Sequence, residues 1–287
     1  IYQISRTTPT ETIDIQNTTF SGNMFNGITD DLFMPINIPN TLNSQNLFMR
    51  FQDLKFENNI FKFSSSRLTI FDANDKIFNL SLERIWFSGN ILTSDVEGST
   101  MGYFHVQTRK SIEFQGLTFS DAEIMDNQYL ILVESSPFNL HELTLHNVTT
   151  RGEQFDLSVL SCQELSNCTL TNLLIENSSI IDRNFLRSRE GEMSINNLRI
   201  FNTKFYSEVT GSRLLDIDRN VLVTINGILF ENNIAEIMAV TDALFNVISI
   251  QNTQNITITD INMTSNNFFN LGSNLILSLF SGISIEN

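Results

Sequence analysis

This chain reads as an all-β protein wound into a parallel β-solenoid of about ten coils, with three short parallel sheets. Three observations carry that expectation. Helix formers are scarce: the 287 residues hold 5 Ala and 5 Lys against 35 Asn, 33 Ile, 31 Leu and 24 Phe. A degenerate motif recurs along nearly the whole chain, and repeats with periods of roughly 20–50 residues are the signature of stacked architectures. Within each copy apolar and polar residues alternate, which describes a strand with one buried face.

The motif is clearest in Phe114-Gln-Gly-Leu117-Thr-Phe119, Ile225-Asn-Gly-Ile228-Leu-Phe230 and Ile258-Thr-Asp-Ile261-Asn-Met263. Taking its first apolar residue as an anchor gives Ile15, Phe51, Leu82, Phe114, Leu140, Leu170, Ile195, Ile225, Ile258 and Phe280, spaced by 22 to 36 residues. Two positions before the anchor the column is nearly all apolar, as in Ile13, Met49, Leu80 and Ile112. Two positions after it, eight of the ten copies carry Asn, Asp or Gly, residues that tolerate φ > 0 and mark a corner. Arg84 and Glu142 are the exceptions.

A second short strand follows each corner, with inward pairs such as Leu54/Phe56, Ile85/Phe87 and Leu117/Phe119. A further corner places Asn23, Asn59, Asn90, Asn233 and Asn266 in one column, predicted to point inward. Buried amides are costly unless hydrogen-bonded, and stacking lets each bond its neighbours in a ladder. A third, apolar-rich strand is expected at 67–71, 129–133, 213–217 and 274–278. Residues 1–10 read as an entry segment and 11–287 as a single solenoid domain. Residues 26–46, with Pro35 and Pro39, break the pattern and read as a lateral loop. The repeat runs to the last residue, so the chain is expected to be a fragment of a longer one.

These columns resemble the right-handed parallel β-helix of the pectin-lyase-like superfamily, and in particular the Asn-rich β-helix repeats of large secreted or surface proteins of protists. The resemblance covers about residues 11–287 and speaks to fold more than to function. That superfamily includes polysaccharide hydrolases, whose pattern combines Asn-Thr-Asp, Asp-Asp, Gly-His-Gly and Arg-x-Lys along one sheet. Here the pair Asp30-Asp31 lies in the Pro-containing loop, His105, His141 and His146 lack flanking glycines, and no Arg-x-Lys occurs. The calcium-binding carboxylate cluster of the lyases is not visible either.

Asp216 and Asp218 share a strand face, and two carboxylates about 6.5–9.5 Å apart suit inverting glycoside hydrolysis. Arg187 and Arg189 lie one coil earlier, however, which predicts an Arg–Asp ladder instead. Asp216-x-Asp218-x-Asn220 imitates the start of a calcium loop, but Val221 replaces its Gly and Gly227 its closing Glu. No nucleophile elbow, dinucleotide fingerprint, P-loop or C-x-x-C is present. No catalytic residue, cofactor site or metal site is therefore expected. Cys162 and Cys168, six apart at a corner, read equally as a disulfide or as a core cysteine beside a free one. N-glycosylation sequons fall at Asn17, Asn79, Asn147, Asn167, Asn177, Asn255 and Asn262, on corner or outward columns. Trp86, Leu174 and Leu229 share an outward column and suggest an apolar row.

The formal net charge of −15 removes the basic footprint of a nucleic-acid partner or an anionic membrane surface. No apolar run reaches the ~18 residues of a membrane span. A solenoid leaves unpaired strand edges at its ends, so end-to-end self-association or continuation of the same chain is expected. The reading is a non-catalytic structural or adhesive segment of an extracellular or cell-surface protein, such as a fibre-forming glycoprotein. The alternative is a polysaccharide-binding or polysaccharide-cleaving β-helix.

Overall fold

The computed structural model describes residues 11–28, 47–64, 67–74, 79–96, 99–108, 111–125, 127–152, 158–207, 213–237, 246–269, 277–279 and 284–285. These wind as a parallel β-solenoid with three faces. The first face is one ten-stranded sheet running from Glu11–Ser21 and Leu47–Glu57 through Pro137–His146 and Asn167–Glu176 to Asn255–Thr264 and Ser284–Ile285. The third face is an eight-stranded sheet from Arg67–Asn74 to Leu277–Leu279. The second is divided into three strands, Met24–Ile28, Ile60–Phe63 and Ile91–Ser94, and six more from Glu123–Ile124 to Asn267–Phe269. The stack with all three sheets unbroken therefore has about six turns rather than the ten coils expected. The division falls between Ile91–Ser94 and Glu123–Ile124.

The last anchor is corrected by the register. Ile258 pairs with Ile285, not with Phe280, because Leu277–Leu279 belongs to the third face, where Leu277 pairs with Ile248. Phe280 itself lies outside the described residues, as do the entry segment 1–10 and residues 29–46 of the expected loop. Residues 26–28 of that loop are instead strand, within Met24–Ile28.

The two strands expected around the first corner are one continuous strand with a kink. Pairing skips a single residue per rung and resumes in register: Gln52 lies opposite Glu83 and Leu54 opposite Ile85. The skipped residue is left-handed in all nine described rungs, at Asn17, Asp53, Arg84, Gly116, Glu142, Asn172, Asn197, Gly227 and Asp260, with φ from 51° to 78°. Arg84 (53°) and Glu142 (64°) adopt it although neither residue type favours it. Neighbouring rungs impose the kink, and local propensity yields.

Inside, like lies over like. Phe20, Phe56, Phe87 and Phe119 form a single file, continued by Leu145, Ile175, Ile200, Phe230 and Met263. Centroids are 4.9, 4.8 and 5.0 Å apart along the four phenylalanines, with rings within 9° of parallel. That spacing is the strand separation within a sheet, so the backbone repeat stacks the rings. Phe71 and Phe104 on the third face stack in the same way and meet the file edge-on. Full burial contributes about 1.5–3 kcal/mol for each such side chain.

Candidate functional site

The asparagine column is buried at Asn59, Asn90 and Asn233, half-buried at Asn266 and exposed at Asn23, and it is not continuous. The carboxamide oxygen of Asn59 accepts the backbone N–H and the Nδ2 of Asn23 at 3.0 and 3.1 Å, and Asn90 does the same for Asn59 at 3.0 Å each. Each amide also donates back to a carbonyl, Asn59 to Phe20 and Asn90 to Phe56. The next rungs hold Ala122, Val148, Ser178 and Thr203 in this column, and the Ser178 hydroxyl accepts the Val148 N–H at 3.1 Å. The ladder resumes with Asn233, which accepts from Thr203 at 2.8 Å, and with Asn266, which accepts from Asn233 at 2.9 and 3.1 Å. These groups hold the corner in shape and are not aimed at any ligand.

Chemistry-bearing side chains collect on the outer side of the third face. His105 donates from Nδ1 to Asp72 at 2.7 Å and from Nε2 to Glu134 at 3.0 Å. Serving two carboxylates requires both ring nitrogens to carry protons, so the imidazolium is the form this site holds. Burial pulls the pKa down, but the Asp72 and Glu134 hydrogen bonds outweigh it and raise it to about 9. Scanning for flanking glycines misses this cluster. Rung spacing points to half of it: Asp72 lies opposite His105, 33 residues away, whereas Glu134 reaches the ring diagonally from two residues beyond Leu132, its register partner.

Three rungs further along, Arg187 is in register with Asp216 and Arg189 with Asp218. Asp216 is buried and engaged on all sides: by Arg213 Nη1 at 2.5 Å, by Asn184 at 3.2 Å and by Arg187 at 3.5 Å. Asp218 is held by Arg219 and Asn252 rather than by Arg189. The expected ladder thus exists at one of its two steps, and the two aspartates do not share an open cleft. Asn220, third in the calcium-like string, is buried and donates to Ser188. Among the described residues no group of three or more His, Cys, Asp or Glu is placed to hold a metal ion.

Cys162 and Cys168 form a disulfide across the corner between the third and first faces. Cys168 also fills the core column, opposite Phe138 and Met193, so it is bridged and packed at once, and the alternative with a free cysteine does not hold. The corner inside the ring has Glu164 and Leu165 in succession at φ 56° and 63°, and Leu165 is 73% exposed. Asn17, Asn147, Asn167, Asn177, Asn255 and Asn262 are exposed; the side chain of Asn79 lies outside the described residues. Asn17, Asn147 and Asn177 are left-handed, so the backbone by itself gives a reason for Asn there.

Trp86, Leu174 and Leu229 share one outward column, but Thr118, Thr144 and Arg199 separate them. The expected apolar row is therefore broken, and the Lys55 ammonium lies 5.1 Å from the centre of the Trp86 ring. Register decides this outcome, since shared face does not imply adjacent rungs. No helix among the described residues is long and apolar enough to cross a membrane. No family model, curated protein or solved structure matches this chain.

Proposed function

We propose that this chain is a structural or adhesive segment of an extracellular or cell-surface glycoprotein, with no catalytic role, extended by further rungs at its ends. The observation that carries the reading is the state of the terminal rungs. Ile15, Phe25 and Ile28 at one end, and Met263 and Phe268 at the other, pack on the core yet stay partly exposed. Phe25 stacks on Phe61 at 4.9 Å, as inner phenylalanines stack on theirs. Interior files that are still apolar at the outermost described rungs suit further rungs, either from the same chain or from a second copy. The column pattern agrees with the right-handed β-helix of the pectin-lyase-like superfamily and with the Asn-rich repeats of protist surface proteins. The excess of negative charge keeps such rods apart side to side and leaves end contacts favoured.

Sedimentation velocity over a range of concentrations tests this. Rods that lengthen with concentration, and that Phe25→Glu or Met263→Glu returns to monomers, are expected. Monomers at every concentration, with only dispersed single rods in electron micrographs, would refute end-to-end assembly.

A further inference from the structure

We propose that Asn167 is an N-glycan acceptor controlled by its own neighbour: it takes a sugar while Cys168 is a thiol and refuses one after Cys168 is bridged to Cys162. The inference rests on the reading of the chain as exported. Among the seven sequons, Asn167-Cys168-Thr169 is the one with a cysteine in the middle position, and that cysteine is half of the disulfide.

In the finished fold this sequon is held from both sides. The Asn167 N–H donates to the Ser136 carbonyl at 3.2 Å, and its Oδ1 accepts from the Glu192 N–H at 3.2 Å. Thr169 pairs with Asn139 and Ser194 on the adjacent rungs. Glycosyl transfer therefore precedes closure of the stack, as it does for every sequon lying in a ladder. Asn167 differs in having a second, local lock. Pairing with Glu192 needs a residue 25 positions away, whereas the disulfide spans a sequence separation of 6 and requires no other rung. Contact between ends of so short a loop is made on the order of 10–100 ns, so bridging waits only on the thiol exchange itself and on no other rung. The ring then fixes the corner with Glu164 and Leu165 left-handed and anchors the residue directly after the acceptor. A transferase that draws its acceptor in as an extended segment cannot thread a ring closed at that residue.

The two reactions are independent in their atoms. In transfer, Asn167 Nδ2 bonds to the sugar C1, the C1–O bond to a lipid pyrophosphate breaks, Nδ2 loses one proton and the lipid pyrophosphate leaves. In bridging, the two thiols give up two protons and two electrons to a protein disulfide, which becomes two thiols. Asn167 is exposed in the folded corner, so a sugar installed first leaves the bridge free to close behind it. The order decides the product.

The test is secretion of the chain from eukaryotic cells, with unreduced peptides mapped by mass spectrometry. Wild type is expected to carry sugar on a fraction of Asn167. Dithiothreitol present during synthesis, or the substitution Cys162→Ser, is expected to raise that fraction about twofold or more and leave Asn147, Asn177 and Asn262 unchanged. The reductant arm needs no mutant to fold, and the chain has only these 2 cysteines on which it can act. Equal occupancy of Asn167 with and without the bridge, the other sequons being glycosylated, overturns the coupling and leaves the glycoprotein reading standing. Seven bare sequons would overturn both.

Discussion

Replacing Glu142 by glycine should stabilise the solenoid, although it removes a side chain from the middle of a strand. Glu142 is exposed, and its backbone sits at φ 64° between Gly116 (70°) on one rung and Asn172 (57°) on the next. An L side chain held left-handed costs about 1–2 kcal/mol. Glycine relieves that and gives back roughly 0.5–1 kcal/mol through the greater freedom of the unfolded chain. The balance is a gain of about 0.5–1 kcal/mol. At roughly 2–4 °C per kcal/mol for a chain of this size, Glu142→Gly should melt about 1–4 °C higher by circular dichroism. Glu142→Asn should gain part of this, since Asn keeps Cβ but tolerates the left-handed region better than Glu, and its amide would lie beside Asn172, which already accepts from Asn197 at 2.7 Å. Charge is the competing explanation in a chain of net charge −15. Glu142→Gln removes the charge and keeps Cβ, so it should leave the melt nearly unmoved. A glutamine variant that gains as much as the glycine variant, or a glycine variant that melts lower, would refute the argument from backbone strain.

Three further outcomes follow from the polar clusters. His105 has a folded pKa of about 9 against an ordinary 6.5, so its contribution is complete below pH 6.5 and lost as pH rises through about 9. Wild type should lose roughly 3 kcal/mol more than His105→Gln between pH 6 and pH 10 in urea denaturation, and parallel pH profiles would contradict this. Asn59→Ala strips bonds from Asn23, Asn90 and the Phe20 carbonyl at a buried position. It should cost about 2–4 kcal/mol, whereas alanine at Asn262, exposed and not left-handed, should cost far less in the same melts. Asp216→Asn leaves Arg213 and Arg187 without their shared carboxylate and should destabilise by about 3 kcal/mol, measured by the denaturation midpoint.

What was legible in the sequence was whatever repeats with the rung. Phe56, Phe87 and Phe119 fall at one position of the motif, so their stacking followed from periodicity alone, as did the single column of Asn59 and Asn90. Stacked parallel strands put equal positions over one another, and a side chain's column then fixes whether it is buried. Of what depends on exact rung order, the Arg187–Asp216 step was legible and most of the rest was not. Arg84 and Glu142 show no sign of a left-handed backbone, because that conformation is imposed by the rungs beside them and not by their own preferences. The Asp72–His105–Glu134 cluster joins residues about thirty positions apart through one particular register, and the loss of an apolar row at Trp86 turns on which threonines intervene. The pairing of Cys162 with Cys168 needed the corner geometry that brings the two sulfurs together. The period, the buried face and the interior files could be read residue by residue, since these are properties of each rung. The number of unbroken turns, the partners of Asp218 and the two carboxylates on His105 emerge from neighbouring rungs in contact.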